Sequence, residues 1–493
     1  MKNHTLLLAL VFSSFLLAQT DAEKAAETVS KSEIEGHIYF LADDVLKGRA
    51  TGSPELKIVA SYLANTLRGY GVKPNPTNGS YYQELVLFRS YLKDTIQLSL
   101  NGLVFPQVVA FNIEEINVEE EAIYLNYGLE SDYNGIDVNG KIIIAKAGTP
   151  ETSELRPALG SRAKKRELAT KYGAKGLIEV GAFDEAIWPR FKHAFEDRVS
   201  VSKSEKEALP LYLWVQTSTA ELEKLGTAPV KVKIKSAGIQ LEEIQSQNVI
   251  GFMEGTDPQL KDEYIMYSAH YDHVGVGTPN AEGDSIYNGA RDNAIGTTAV
   301  LSMAKNIGKY PTKRSAFFIL FTGEEKGLLG SQYYVQNPVF PLKQIVYGFN
   351  TDGAGYNNTS LTTVIGLNRT TAQKHIVAGA SSFGLQAIDD PAPEQGLFDR
   401  SDNVSFAKVG IPAPTYSTGF DAFDDEINKY YHQAADEADS LDYDYLVKFY
   451  QGYILSGRSI ANDPERPYWI KGDKYEAAAN VLYGKIPEVP IKN

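Results

Sequence analysis

Apolar residues recur at three- and four-residue spacing in "SEIEGHIYFLADDVL" (residues 32–46) and "ELKIVASYLANTLRGYG" (residues 55–71), which predicts helices over residues 23–71. From about residue 106 to 240 the texture changes. Short strand-like runs such as "EAIYLNYG", "GKIIIAKAG", "KGLIEVG" and "PLYLWV" stand between turns, as in a small β-rich domain. From about residue 246 strand and helix patterns alternate: "NVIGFMEG", "EYIMYSAHYDH", a helical "ARDNAIGTTAVLSMAKNIG", then "SAFFILFTGEE", "IVYGFNTDG" and "LTTVIG". A terminal helix is centred on "YDYLVKFYQGYILSGRSI". Alternation at this spacing predicts an α/β fold with a mixed, largely parallel sheet flanked by helices. The expected division is residues 19–105 and 241–463 for the main domain, 106–240 for an inserted β-rich domain, and 464–493 for a Pro-rich tail that no pattern assigns.

Composition narrows the classes. With 493 residues there is room for two or three domains and a sizeable core. A net charge of −14 argues against general binding to nucleic acid or anionic membranes. The absence of cysteine excludes disulfides, thiolate metal ligands and a lipoprotein anchor, so any metal here must use His, Asp and Glu. At the N-terminus, Lys2 precedes the apolar "TLLLALVFSSFLLA" (residues 5–18), shorter than the roughly 20 residues that span a bilayer. Residues 1–18 therefore read as a secretory signal cleaved near Ala18, with a retained anchor as the alternative. That predicts a secreted or periplasmic protein with no membrane partner after cleavage.

In open α/β sheets, ligands bind beyond the carboxyl ends of the strands, and several predicted strands end in polar clusters. In "SAHYDHVG", His270 and Asp272 are two apart and would share a strand face. In "GARDNAIGTTAV", Asp292 stands before a helix, where an N-cap is the simpler reading. In "FTGEEKGLLG", Thr322 and Glu325 have the spacing of a capping box, which leaves the adjacent Glu324 unexplained. A nearby divalent cation would relieve the repulsion between the two glutamates, one as ligand and the other free to accept a proton. Asp352 in "FNTDGAGY" suits a turn, and His432 in "NKYYHQAADEADSLDYD" a polar loop. Taken together, two imidazoles and three carboxylates make an oxygen-and-nitrogen site suited to paired Zn²⁺, with Mn²⁺ or Co²⁺ as alternatives.

The motifs "HYDHVG", "GARDNAIGTTAVLSMA", "FTGEEKGLLGS", "NTDGAG" and "YYHQAAD", in this order, resemble the di-zinc aminopeptidases of metallopeptidase family twenty-eight. "LKGRATGS" and "RSDNVSFAKVGIP" fit the same family. "DYNGIDVNGKIIIAKAG" and "ATKYGAKGLIEVG" resemble a protease-associated domain. The resemblance implies two zinc ions, one on His270 and Asp352, the other on Glu325 and His432, with Asp292 bridging. It implies that Asp272 orients His270, that Glu324 is the general base, and that Tyr431 donates to the tetrahedral intermediate. Asn403 stands where family members often carry His, which leaves Asp402 as either a pocket residue or a helix cap. The implied activity is removal of N-terminal residues from peptides with a free N-terminus. A carboxypeptidase or dipeptidase of the same family is the runner-up, then a glutaminyl cyclase. A non-catalytic binding protein on this fold is the alternative from another class. The oligomeric state is left open.

Overall fold

The run "SAFFILF" is apolar at every position because its strand is covered on both faces. In the computed structural model, which describes residues 19–484 except 153, 186, 203–208 and 225–229, this run forms the strand Ser315–Phe321, buried throughout. Ala316, Phe318 and Leu320 pack into one core; Phe317, Ile319 and Phe321 pack into another on the opposite side. A strand buried on both faces reads as a continuous apolar run rather than an alternating one.

The described chain divides into two compact units, one made of residues up to Glu84 and from Gln247 onward, the other spanning Leu85–Ser246. The first unit is built on a mixed sheet. We label its strands β1 (Ile239–Met253, which enters this unit at Gln247), β2 (Tyr264–His270), β3 (Ser315–Phe321), β4 (Ile345–Thr351), β5 (Leu361–Ile365), β6 (Gln386–Ile388) and β7 (Thr415–Thr418). Their spatial order is β6-β5-β7-β4-β2-β3-β1. The pairs β2·β3, β2·β4, β4·β7 and β5·β6 are parallel; β1·β3 and β5·β7 are antiparallel. The sheet is therefore α/β, mixed and largely parallel, as its alternating pattern predicts. Three long helices bury apolar stripes in the core on one face: α1 (Pro54–Gly69), α2 (Ile295–Lys309) and α3 (Tyr443–Asn462). Leu63, Val300 and Phe449 are examples, each fully buried. Ser53 caps α1 by accepting from the Leu56 amide at 3.1 Å, with Pro54 in the first turn.

The tail that the sequence leaves unassigned packs onto the first unit through its described residues, 464–484. Trp469 Nε1 donates to the Gly410 carbonyl at 3.0 Å, and a helix runs over Glu476–Tyr483. Arg369 forms a two-pronged bond to Asp473 at 2.7 and 2.9 Å and lies over the Phe398 ring at 3.9 Å. The predicted secretory signal lies outside the described residues. No helix among the described residues is long and apolar enough to cross a membrane.

The second unit carries its own sheet, with Gly176–Gly181 central between Ile142–Lys146 and Leu211–Gln216, both parallel to it. Its buried ions are paired. Lys165 and Glu179 form a 2.5 Å contact, and Tyr212 and Trp214 donate to the other Glu179 oxygen at 2.5 and 3.1 Å. A buried charge is tolerated when it is paired and hydrogen-bonded in this way.

Candidate metal centre

Strands β2, β3 and β4 are adjacent and parallel, so their carboxyl ends lie together. His270 is the last residue of β2, Glu324 and Glu325 follow β3, and Asp352 follows β4. The two remaining predicted ligands arrive from turns. Gly289, at φ +61°, opens the turn that leads to Asp292; a side chain there would meet the Asp292 carbonyl at 2.2 Å and the His273 ring at 2.6 Å. His432 follows the short helix Asp425–Tyr430 with φ +52°.

These five side chains converge. Asp292 faces both ways: its Oδ1 is 3.3 Å from His270 Nε2 and its Oδ2 is 3.2 Å from His432 Nε2. His270 Nε2 also lies 3.2 Å from Asp352 Oδ1, and His432 Nε2 lies 3.2 Å from Glu325 Oε2. His270, Asp292 and Asp352 each offer a donor atom within 4.8 Å of the others, and His273, Asp292, Glu325 and His432 do the same. Two nitrogen-and-oxygen clusters sharing one carboxylate fit a pair of zinc ions. The cleft above them has a volume of about 490 Å³ and an apolar wall that includes Ile365, Phe420, Phe423 and Ile427.

Several simpler readings do not survive the geometry. Asp292 does not cap α2; Asn293 does, its Oδ1 accepting from the Gly296 amide at 3.0 Å. Instead, Asp436 accepts from the backbone amides of Arg291 at 3.0 Å and Asp292 at 3.2 Å, which fixes Asp292 towards the cleft. Thr322 and Glu325 form no capping box, because the helix after β3 begins only at Leu329. Gly323, at φ +72°, turns the chain so that both glutamates reach the cleft.

Asp272 meets His270 through its main chain rather than its carboxylate. His270 Nδ1 bonds to the main-chain carbonyl of Asp272 at 3.1 Å, while the carboxylate stays 3.9 Å away. That carboxylate accepts from the Thr51 hydroxyl at 2.6 Å and the Glu324 amide at 3.2 Å, so it ties the β2 and β3 turns together. Asn403 holds its loop by donating to the Phe398 and Ala413 carbonyls at 3.1 and 3.2 Å. Asp402 makes no side-chain cap and is buried; burial pushes its carboxyl up to about 7, opposed by His270.

Two residues escape sequence reasoning. His273 is buried, and its Nδ1 donates to Glu325 Oε1 at 2.7 Å. The second His of "HYDHVG" was its only signal. Arg49, in "LKGRATGS", is fully buried and donates to the carbonyls of Tyr271 at 3.0 Å, Asn288 at 2.5 Å, Gly289 at 3.0 Å and Leu41. It pins the loops that carry His273 and Asp292.

The electrostatics separate the two adjacent glutamates. Burial drives the Glu324 carboxyl well above the ordinary carboxylate range, against the pull of His270 and with help from Asp352, Glu325 and Asp402. Burial and Asp292 also push Glu325 up, but His432 and His273 outweigh them and hold it at about 2.

Residues 248–455 match the sequence profile described as peptidase family M28. Aminopeptidase YwaD of Bacillus subtilis is 30% identical over 241 residues, 48% of this chain and 50% of that protein. The match thus spans about half the length of that relative. A probable leucine aminopeptidase 2 of Aspergillus oryzae is 24% identical over 462 residues, 86% of each chain. The aminopeptidase from Aneurinibacillus sp. strain AM-1 shares the fold, with a TM-score of 0.62 and 21% identity over 90% of this chain and 97% of that one. A zinc aminopeptidase from Bacillus subtilis also shares it, with a TM-score of 0.54 and 19% identity over 89% and 97%. Over residues 248–455, then, the stretch that carries the converging donors is similar in sequence to peptidase family M28.

Proposed function

We propose that the chain is a zinc-dependent exopeptidase that removes N-terminal residues from peptides. The observation that carries this reading is the division of Asp292, one oxygen towards His270 and the other towards His432. His270 and Asp352 would hold one ion, Glu325 and His432 the other, and Asp292 both. Bound zinc would supply Lewis acidity that lowers the pKa of a water from about 15.7 towards 7. Glu324 would take a proton from the attacking water and return it to the leaving amine. Among the described residues the Glu324 carboxylate accepts no hydrogen bond, and burial favours its protonated form, both of which suit a proton carrier. The Tyr431 hydroxyl donates to the carbonyl oxygen as negative charge builds there. Arg400 is the only Arg or Lys among the described residues lining a cleft that holds Asp292, Glu324, Glu325 and Asp352, which favours a substrate's ammonium end over its carboxylate.

We further read residues 106–240, which lie within the unit Leu85–Ser246, as a protease-associated domain, and residues 1–18 as a signal for secretion or the periplasm. The test of the chemistry is Glu324→Gln. It should keep its zinc and lose nearly all turnover of aminoacyl anilides; activity within a few-fold of wild type would refute the assignment.

A further inference from the structure

The Tyr431 hydroxyl has one hydrogen-bond partner among the described residues: Arg400 Nη2 donates to it at 3.1 Å. The phenol oxygen is therefore an acceptor in that bond, and its own proton is left for another group. Two aromatic neighbours hold the ring. It stacks on His432 with centroids 4.1 Å apart, and Phe423 meets it edge-on at 5.9 Å. With the ring held, the remaining freedom of the hydroxyl is rotation about its C–O bond. A guanidinium donor removes the orientations that point back at it.

Arg400 has little else to do. It forms no ion pair among the described residues, whereas its neighbour Asp399 is taken by Lys474 at 2.6 Å and by the Tyr475 hydroxyl at 2.8 Å. It projects from an anchored turn. Phe398 is buried beneath Arg369, and the Phe398 carbonyl accepts from Asn403. Arg400 and Tyr431 both line the cleft that holds His270, Glu324 and Asp352.

We propose that Arg400 is a positioning residue: its guanidinium turns the Tyr431 phenolic proton into the cleft, towards the oxygen that gains charge on the substrate carbonyl. This rests on the reading of Tyr431 as the donor to that oxygen. Arg400 thus acts through Tyr431, and neither holds metal nor grips substrate.

A double-mutant cycle tests it, with kcat and KM measured separately on an aminoacyl p-nitroanilide and on a tripeptide, and zinc content measured throughout. Tyr431→Phe should lower kcat by about 100-fold or more, as loss of one such donor does. Arg400→Ala should lower kcat by about tenfold, the scale of one hydrogen bond, with KM and zinc content unchanged. In the Tyr431→Phe background Arg400→Ala should cost nothing further, and Arg400→Lys should recover part of the single-mutant loss. Arg400 is exposed, so these variants should fold. Equal losses in both backgrounds would overturn the proposal, as would a rise in KM alone on the tripeptide, which would mean that Arg400 grips the peptide carboxylate. Wild-type kcat in Tyr431→Phe would instead sink the reading of Tyr431 itself.

Discussion

His273 is the residue whose removal should report most directly on the centre. Its Nδ1 donates to Glu325 Oε1 at 2.7 Å, which leaves Oε2 to face His432. The pair is buried, with the His273 side chain at 0% exposure and that of Glu325 at 5%, so water does not readily replace the bond. A hydrogen bond to a charged group contributes about 1.5–3 kcal/mol. At about 1.4 kcal/mol per decade, that is about 10- to 100-fold in affinity for the ion that Glu325 would hold. The same range, about 10- to 100-fold, is typical when an outer partner of a metal ligand is removed. His273→Ala should therefore weaken one of two zinc-binding steps by this factor and leave the step that depends on His270 and Asp352 unchanged. His273→Asn keeps an amide donor near the position of Nδ1 and should fall between Ala and wild type. The assay is titration of the metal-free protein with Zn²⁺ against a chromophoric chelator, with thermal unfolding of each metal-free variant as the control for lost packing. Unchanged affinity in His273→Ala would refute the reasoning. A His273→Asn variant as weak as Ala would show that the ring's packing matters rather than its donor.

Two further outcomes concern stability. Arg49→Met would leave four buried carbonyls without their donor; at about 1–3 kcal/mol for a buried polar group left unpaired, the loss in urea unfolding should reach at least ~3 kcal/mol, and a loss below ~1 kcal/mol would mean that the carbonyls find other donors. Burial raises the Glu33 carboxyl, but His37, Lys305 and Tyr70 outweigh it and hold it at about 2, against an ordinary value of 4.5. A depressed carboxyl gives stability that is full above its unfolded value and disappears as pH falls through the folded one. Glu33→Gln should thus flatten the dependence of Tm on pH between 4.5 and about 2, and leave the slope above 4.5 unchanged. An acid limb identical to wild type would show that Glu33 carries none of it.

The strands were legible because burial on both faces leaves no polar position in runs such as "SAFFILF", and the helices because their apolar stripes face a single core. The candidate donors were legible as residue types at strand ends and in the turns near them. What stayed hidden depended on main-chain atoms or on partners remote in sequence. Arg49 answers to backbone carbonyls, which leave no mark in a sequence, and three of its four acceptors lie more than two hundred residues away. Asp272 serves His270 through its carbonyl, which any residue type could supply. Asp292 matched an N-cap and Glu325 the third helical position of a capping box, because a carboxylate near a helix start has the same spacing whether it pairs with backbone amides or faces imidazoles. Asn293, one position on, was the cap. In the tail, Trp469 and Asp473 are fixed by Gly410 and Arg369, contacts that Pro-rich composition does not announce.

His432 stands apart from the other donors in chain order: it follows β7, after the sheet is complete, and Asp436, which fixes the Asp292 backbone, lies just beyond it. During synthesis this region leaves the ribosome after every strand of the sheet. A fragment ending before it would contain every strand and still lack both the imidazole and the clamp on the shared carboxylate. On the reading above, copies that end before residue 432 would be inert, so the proposed activity would appear only after the whole sheet has been made.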